Sequence, residues 1–178
     1  RVDAAMRRIL QRLDGRTALN LPDDPDKISF PVLGLNVAVN RRGDLKLHED
    51  ESYVLAVTPA RIMIDAETDL GALHGMETLL QLLSTDAEGF YFPVCRIEDA
   101  PRFPWRGLLI DVCRHWQPVD VIKRNLDAMA AMKMNVFHWH LSEDQGFRIE
   151  SKTFPQLHER GSNGDYFTQV QVKDIIAY

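Results

Sequence analysis

The chain holds 178 residues, 45% hydrophobic and 26% charged, which is enough apolar side chain to bury a core. That composition excludes a disordered tail, a collagen-like fibre and a small disulfide scaffold. With 21 basic against 26 acidic residues, net −5, there is no basic footprint for nucleic acid or an anionic membrane, and no apolar run approaches the ~20 residues that cross a bilayer.

The opening RVDAAMRRILQRLDG lacks the continuous apolar core and small-residue cleavage site of a signal peptide. A periplasmic or extracellular address would need a processed signal upstream of Arg1. Met6, Ile9, Leu10 and Leu13 recur at helical spacing, with Gly15 as the stop signal. The Pro- and Asp-rich stretch over 21–31 reads as a loop. Leu33, Leu35, Val37 and Val39 alternate with their neighbours as in a strand. After a charged connection, Tyr53–Val57 and Arg61–Asp65 form two short strands about a Thr58-Pro59-Ala60 turn. A helix follows over about 69–83, its buried side formed by Leu73, Met76, Leu79, Leu80 and Leu83. This half, residues 1–98, is expected to be a small α+β domain.

From Asp99 the pattern changes. The two prolines of DAPRFPW mark a connector of fixed backbone angles. GLLIDVC (107–113) is a nearly unbroken apolar run, as in a strand covered on both faces. Pro118 and Asp120 suit the first turn of a helix continued by Ile122, Leu126 and Met129. Asn135 marks the turn into a second strand, MNVFHWHL (134–141). A long polar loop with a short helix follows, and then Thr168 with Gln171 makes a capping box for a last helix carrying Val170, Val172, Ile175 and Ile176. Strand, helix, strand, loop, helix is the unit of a parallel α/β architecture.

In such a fold, chemistry gathers at the carboxyl ends of the strands. One end is Asp111-Val-Cys-Arg114-His115-Trp116; the other is His138-Trp139-His140-Leu-Ser-Glu143-Asp144-Gln145. Arg114, a planar and always charged fork at a strand mouth, suits bidentate binding of vicinal hydroxyls or a carboxylate. Asp111, inside the strand, is expected to hold a neighbouring loop or arginine, and Arg106 to be structural. His115, His138 and His140 fit metal ligands, catalytic groups or hydrogen-bonded core histidines, and spacing alone favours the core reading. Glu143 and Asp144 also fit solvated loop carboxylates, and His74 a packing or capping residue. Cys95 and Cys113, without CxxC spacing, read as buried free thiols rather than as a disulfide or a catalytic group. His138 and His140 lie two apart on one strand face, so a metal-dependent hydrolase with these two as ligands is a competing reading.

The stretch from Trp105 to Leu157 resembles the opening of the catalytic barrel in family 20 glycoside hydrolases, the β-N-acetylhexosaminidases. The markers are the R-G-x-x-x-D-x-x-R-H block (106–115), the K-M-N-x-x-H-W-H-L block (133–141) and the acidic pair followed by Gln145-Gly146. GALHGMETLLQL (71–82) is similar to the helix of that family's non-catalytic α+β domain. The resemblance implies an α/β fold: residues 1–98 as the α+β domain, and 99–178 as the first two βα units of a truncated TIM (β/α)8 barrel. A whole barrel takes roughly 250 residues.

It also implies a chemistry: retaining hydrolysis of terminal β-linked N-acetylglucosamine or N-acetylgalactosamine. In that chemistry the substrate's own acetamido oxygen attacks the anomeric carbon, a glutamate serves as acid and then base, and the preceding aspartate orients the acetamido group. No cofactor and no metal is implied. The Asp-Glu pair of the family falls on the fourth barrel strand, beyond Tyr178, so this chain alone is expected to be inactive. Arg114 matches the arginine that grips sugar hydroxyls, while His140 and Glu143 match positions lining the same pocket. Glu143 stands where aspartate is usual, Cys113 where serine is common and Phe147 where tryptophan is common. Glycans with terminal N-acetylhexosamine are the implied partners, together with self-association through an open barrel edge. A carbohydrate-binding module without catalysis is the alternative from a different class.

Overall fold

The computed structural model describes residues 1–21 and 34–178. The loop expected over 21–31 and the strand start at Leu33 fall outside that range, except for Leu21. The described chain forms two compact units, Arg1–Pro104 and Trp105–Tyr178.

In the first unit, helix α1 (Val2–Thr17) runs past Gly15 and ends at Ala18, whose left-handed backbone (φ 54°) lets its amide reach Asp14 O. Tertiary contacts explain why the glycine does not stop it. Arg12 pairs with Glu77 at 2.6 Å and Arg16 donates to the Leu80 carbonyl at 2.7 Å, so the last turn is held from outside.

Strands β1 (Gly34–Arg41), β2 (Tyr53–Val57) and β3 (Arg61–Thr68) precede helix α2 (Asp69–Leu82), which Thr68 caps by accepting from the Gly71 amide. A small hairpin, β4 (Ser84–Asp86) and β5 (Gly89–Tyr91), and a further strand, β6 (Cys95–Asp99), follow where the sequence pattern showed nothing. Only five residues long and largely polar, β6 is recruited by its neighbour: it pairs antiparallel along β2, from Val57↔Cys95 to Tyr53↔Asp99. The sheet order is β1-β3-β2-β6, with β1 parallel to β3 and the other pairs antiparallel.

Period-2 alternation puts Tyr53, Leu55, Val57, Ile62, Ile64 and Ala66 on one face. There they meet Ala5 and Ile9 of α1 and Ala72, Met76, Leu79 and Leu80 of α2. Gly75 allows the close approach, since a Cβ there would lie 2.7 Å from Ile64 Cγ2.

The second unit begins with β7 (Gly107–Asp111), followed by α3 (Val119–Ala131) and β8 (Val136–His140). The two strands pair in parallel, with Leu109 opposite His138 and Asp111 opposite His140. The turn before β8 is made by Lys133, at φ 57°, rather than by Asn135. Asn135 instead accepts from the Arg106 amide, while Arg106 Nε donates to the Lys133 carbonyl at 2.7 Å.

The polar stretch after β8 contains a two-residue ladder, β9 (Ser142–Glu143) with β10 (Gly146–Phe147), and a short helix, α4 (Gln156–Gly161). Helix α5 (Gln169–Ala177) starts at the full Thr168/Gln171 capping box. Ile110, Phe137 and Trp139 point to one side of the strand pair and pack with Val112, Ile122, Phe167 and Ile175. Leu109 points the other way and is 54% exposed, so β7 is covered on one face rather than two among the described residues. Val170 and Ile176 likewise turn outward, leaving Val172 and Ile175 as the apolar side of α5. No described helix is long and apolar enough to cross a membrane.

Candidate functional site

The carboxyl ends of β7 and β8 and the β9–β10 ladder bring together Asp111, Cys113, Arg114, His140, Glu143 and Gln145. Parallel pairing does this first. Asp111 and His140 are register partners at the strand ends, so their side chains leave the same face side by side. Immediately after β7 the chain turns over the Asp111 carboxylate, whose Oδ1 accepts the amides of Cys113 (2.9 Å) and Arg114 (3.3 Å). That turn aims Arg114 back across its own strand.

Three partners hold the Arg114 guanidinium. Nη1 donates to Asp111 Oδ2 at 2.5 Å and Nε to Gln145 Oε1 at 2.9 Å, and Nη2 lies 2.9 Å from Glu143 Oε2. Five N–H groups radiate from a guanidinium, so two remain beyond these partners. Half of the side chain (50%) is open to solvent, which leaves them reachable by a ligand. His140 Nε2 sits 3.3 Å from Glu143 Oε2 without the alignment of a hydrogen bond.

The electrostatics follow from this cage. The bond from Arg114 holds the Asp111 carboxyl below its usual value, and Asp111 in turn raises Arg114. Glu143 is lowered first by the amide of Asp144, which donates to its carboxylate, and then by the charge of Arg114. Burial pushes the Cys113 thiol up. Cys113 is buried and Cys95 half-buried, and both are free thiols.

The structure brings Arg114, His140 and Glu143 into one group. His138 shares the face of His140, with ring centroids 6.1 Å apart, but is exposed and does not join the cage. Nor do His138 and His140 assemble a metal-ligand set. Among the described residues, the one group of three such side chains whose ligand atoms all lie within 4.8 Å of one another is Asp111, Cys113 and His140. That trio suits a cation poorly: Asp111 is already bonded to a guanidinium, and the buried thiol favours its protonated form. His115 is exposed, and His74 lies 3.4 Å from Glu51 in the first unit.

Of two further residues in the arrangement, the sequence placed Gln145 at the strand end and in a family block without giving it a partner, and gave no signal for Arg148. Gln145 is a direct partner of Arg114. Arg148, almost wholly buried, donates to the Cys113 carbonyl at 3.2 Å. Neither periodicity nor charge pattern foretells a buried arginine on a polar loop.

A parallel strand pair with helices on one face, and a fixed arginine at the strand mouths, describe the start of an α/β domain. Residues 2–100 match the family model described as glycosyl hydrolase family 20, domain 2, and residues 103–178 match glycosyl hydrolase family 20, catalytic domain. The chain belongs to glycosyl hydrolase family 20. Its mixed α/β fold is therefore that family's domain 2 followed by the first βα units of the catalytic domain.

Among solved structures, the chitobiase of Flavobacterium johnsoniae is 52% identical with a TM-score of 0.91, matching 99% of this chain and 27% of that one. The exo β-N-acetylglucosaminidase of Vibrio harveyi, solved with N-acetylglucosamine, is 30% identical with a TM-score of 0.79, over 99% and 29%. The mouse β-hexosaminidase subunit alpha is 37% identical over 185 residues, 99% of this chain and 35% of the relative. The chain thus spans about a third or less of the length of these relatives.

Proposed function

We propose that this chain is part of a β-N-acetylhexosaminidase that releases terminal β-linked N-acetylglucosamine or N-acetylgalactosamine with retention of configuration, by attack of the substrate's own acetamido oxygen. The observation that carries the reading is Arg114: its guanidinium is fixed on three sides at the mouth of β7, yet keeps two donors and half its surface for a ligand. Vicinal sugar hydroxyls match such a fork. On this reading Arg114 grips hydroxyls of the terminal sugar, while His140 and Glu143 line the same pocket. Glu143, already engaged with Arg114 and close to His140, acts as a supporting carboxylate.

No residue of this chain is assigned the acid/base role or the role of orienting the acetamido group. Residues 1–98 are read as the non-catalytic α+β domain and 99–178 as the opening of the barrel. The strand edges of β7 and β8, and the face carrying Leu109, then offer a route to self-association of the isolated chain.

The test is hydrolysis of 4-nitrophenyl N-acetyl-β-glucosaminide and its galactosaminide counterpart, by the full-length protein and by this chain alone. Turnover by the former and none by the latter is the expected result. Absence of turnover by the full-length protein on both substrates overturns the reading.

A further inference from the structure

Arg148 is a buried cation whose partners are main-chain carbonyls. Nη2 donates to Cys113 O at 3.2 Å, and Nη1 donates to Ser162 O and, at 3.1 Å, to Asp165 O. Its own backbone is fixed as well: the amide donates to Leu141 O at 2.8 Å and the carbonyl accepts from Phe167 N at 2.9 Å. The guanidinium carbon lies 6.0 Å from the centre of the Trp116 ring. One side chain therefore spans three loops: the turn after β7, the strand leaving β10 and the segment before α5.

The position of the first contact gives it meaning. The Cys113 carbonyl belongs to the peptide that Arg114 follows. Asp111 holds the amide side of that turn and Arg148 holds its carbonyl side. Burying a charge without a carboxylate is costly, and it persists here because carbonyl dipoles converge on it. Nε has no hydrogen-bond partner among the described residues, so the three carbonyls carry the whole of its side-chain hydrogen bonding. Gly146 makes room for the contact. A Cβ there would lie 3.0 Å from Arg148 Nε and 3.1 Å from Cys113 O, wedged against both.

We propose that Arg148 is a positioning residue for Arg114, clamping the Cys113–Arg114 peptide so that the exposed guanidinium meets the sugar at one fixed place. The inference rests on the reading of Arg114 as the sugar-gripping residue. Displacing such a group by even ~1 Å can cost about 100-fold in rate.

The experiment is a double-mutant cycle in the full-length protein, with a fluorogenic N-acetyl-β-glucosaminide, on Arg114→Ala, Arg148→Met and the pair. Arg148→Met is expected to lower kcat/KM by about 10- to 100-fold in the parent. In the Arg114→Ala background it should change kcat/KM by less than about 2-fold, because there is no longer a guanidinium to position. Arg148→Lys should recover part of the loss, since an ammonium can still donate to Cys113 O. Gly146→Ala should lose activity in the same direction with Arg148 intact.

A full, undiminished loss in the Arg114→Ala background overturns the proposal, as does unchanged kcat/KM in folded Arg148→Met. If Arg148→Met does not fold, Arg148→Lys and Gly146→Ala, each alone and with Arg114→Ala, decide by the same criterion. Hydrogen exchange of the 112–116 peptide separates this proposal from the hydrolase reading. If the parent turns over neither substrate, faster exchange there in the Arg148 variants still supports the clamp, and unchanged exchange overturns it.

Discussion

Replacing Phe167 with alanine should unfold the second unit before the first. Phe167 is fully buried and lies between two indoles, Trp116 at 4.4 Å and Trp139 at 4.5 Å between ring centres. Its backbone also bridges to Ile149 and to Arg148 O. A Phe→Ala change at such a site costs about 3–5 kcal/mol, against a total of ~5–15 kcal/mol for a domain. Phe167→Leu keeps most of the volume and loses mainly the two ring contacts, each worth ~0.5–1.5 kcal/mol beyond area. With a urea slope of ~1–1.5 kcal/mol per M for so small a unit, the alanine variant shifts the midpoint by about 2–5 M and the leucine variant by about 0.7–3 M.

The assay separates the units without labels. All three tryptophans, at 105, 116 and 139, lie within Trp105–Tyr178, so tryptophan fluorescence follows that unit while far-UV circular dichroism follows both. The alanine variant should show a fluorescence transition well below the circular dichroism transition that remains for the first unit. A fluorescence midpoint within ~0.5 M of the parent would refute the claim that this ring organises the unit.

Gly75→Ala puts a methyl against Ile64 Cγ2 and the Tyr53 ring, and should cost ~1–3 kcal/mol in the circular dichroism transition while leaving tryptophan fluorescence unchanged. Thr168→Ala removes one arm of the α5 capping box and should lower the stability of the second unit by ~1 kcal/mol, read from the fluorescence midpoint. Asp111 and Glu143 have folded carboxyl values below their unfolded ones near ~4. The stability they add is therefore present above that range and lost as pH falls through the folded values. Urea midpoints by fluorescence between pH 6 and pH 3 should drop more steeply for the parent than for Asp111→Asn, and parallel curves would count against the Arg114 cage.

Strong periodicities made most elements legible: Tyr53–Val57, Arg61 onward, α2, α3 and the two strands of the second unit follow directly from apolar spacing. The elements the pattern did not show lacked any local signal. Polar β6 exists because β2 offers it a ladder, and the β4–β5 hairpin is only three residues a side. Gly15 failed as a stop because Arg12 and Arg16 reach α2, a contact no local reading contains. Leu109 faces solvent because only one side of its sheet is covered among the described residues, which an apolar run cannot reveal. In the site, Arg114 stood out by chemistry and Glu143, His140 and Gln145 by family pattern, whereas the bond from Arg114 to Gln145 and the whole role of Arg148 enter through long-range geometry.

Holding Arg114 from three sides also determines when its freedom is lost. A long side chain that swings in solvent must be ordered at the moment a ligand arrives, and binding is weakened accordingly. Here the ordering is incurred during folding. A sugar docking on the free N–H groups would meet a rigid template, and its affinity should carry little conformational penalty. If Arg114 grips a sugar as proposed, the same rigidity would bring selectivity: a fork that cannot swivel would suit one spacing of hydroxyls, and a sugar with a misplaced oxygen would leave a donor stranded.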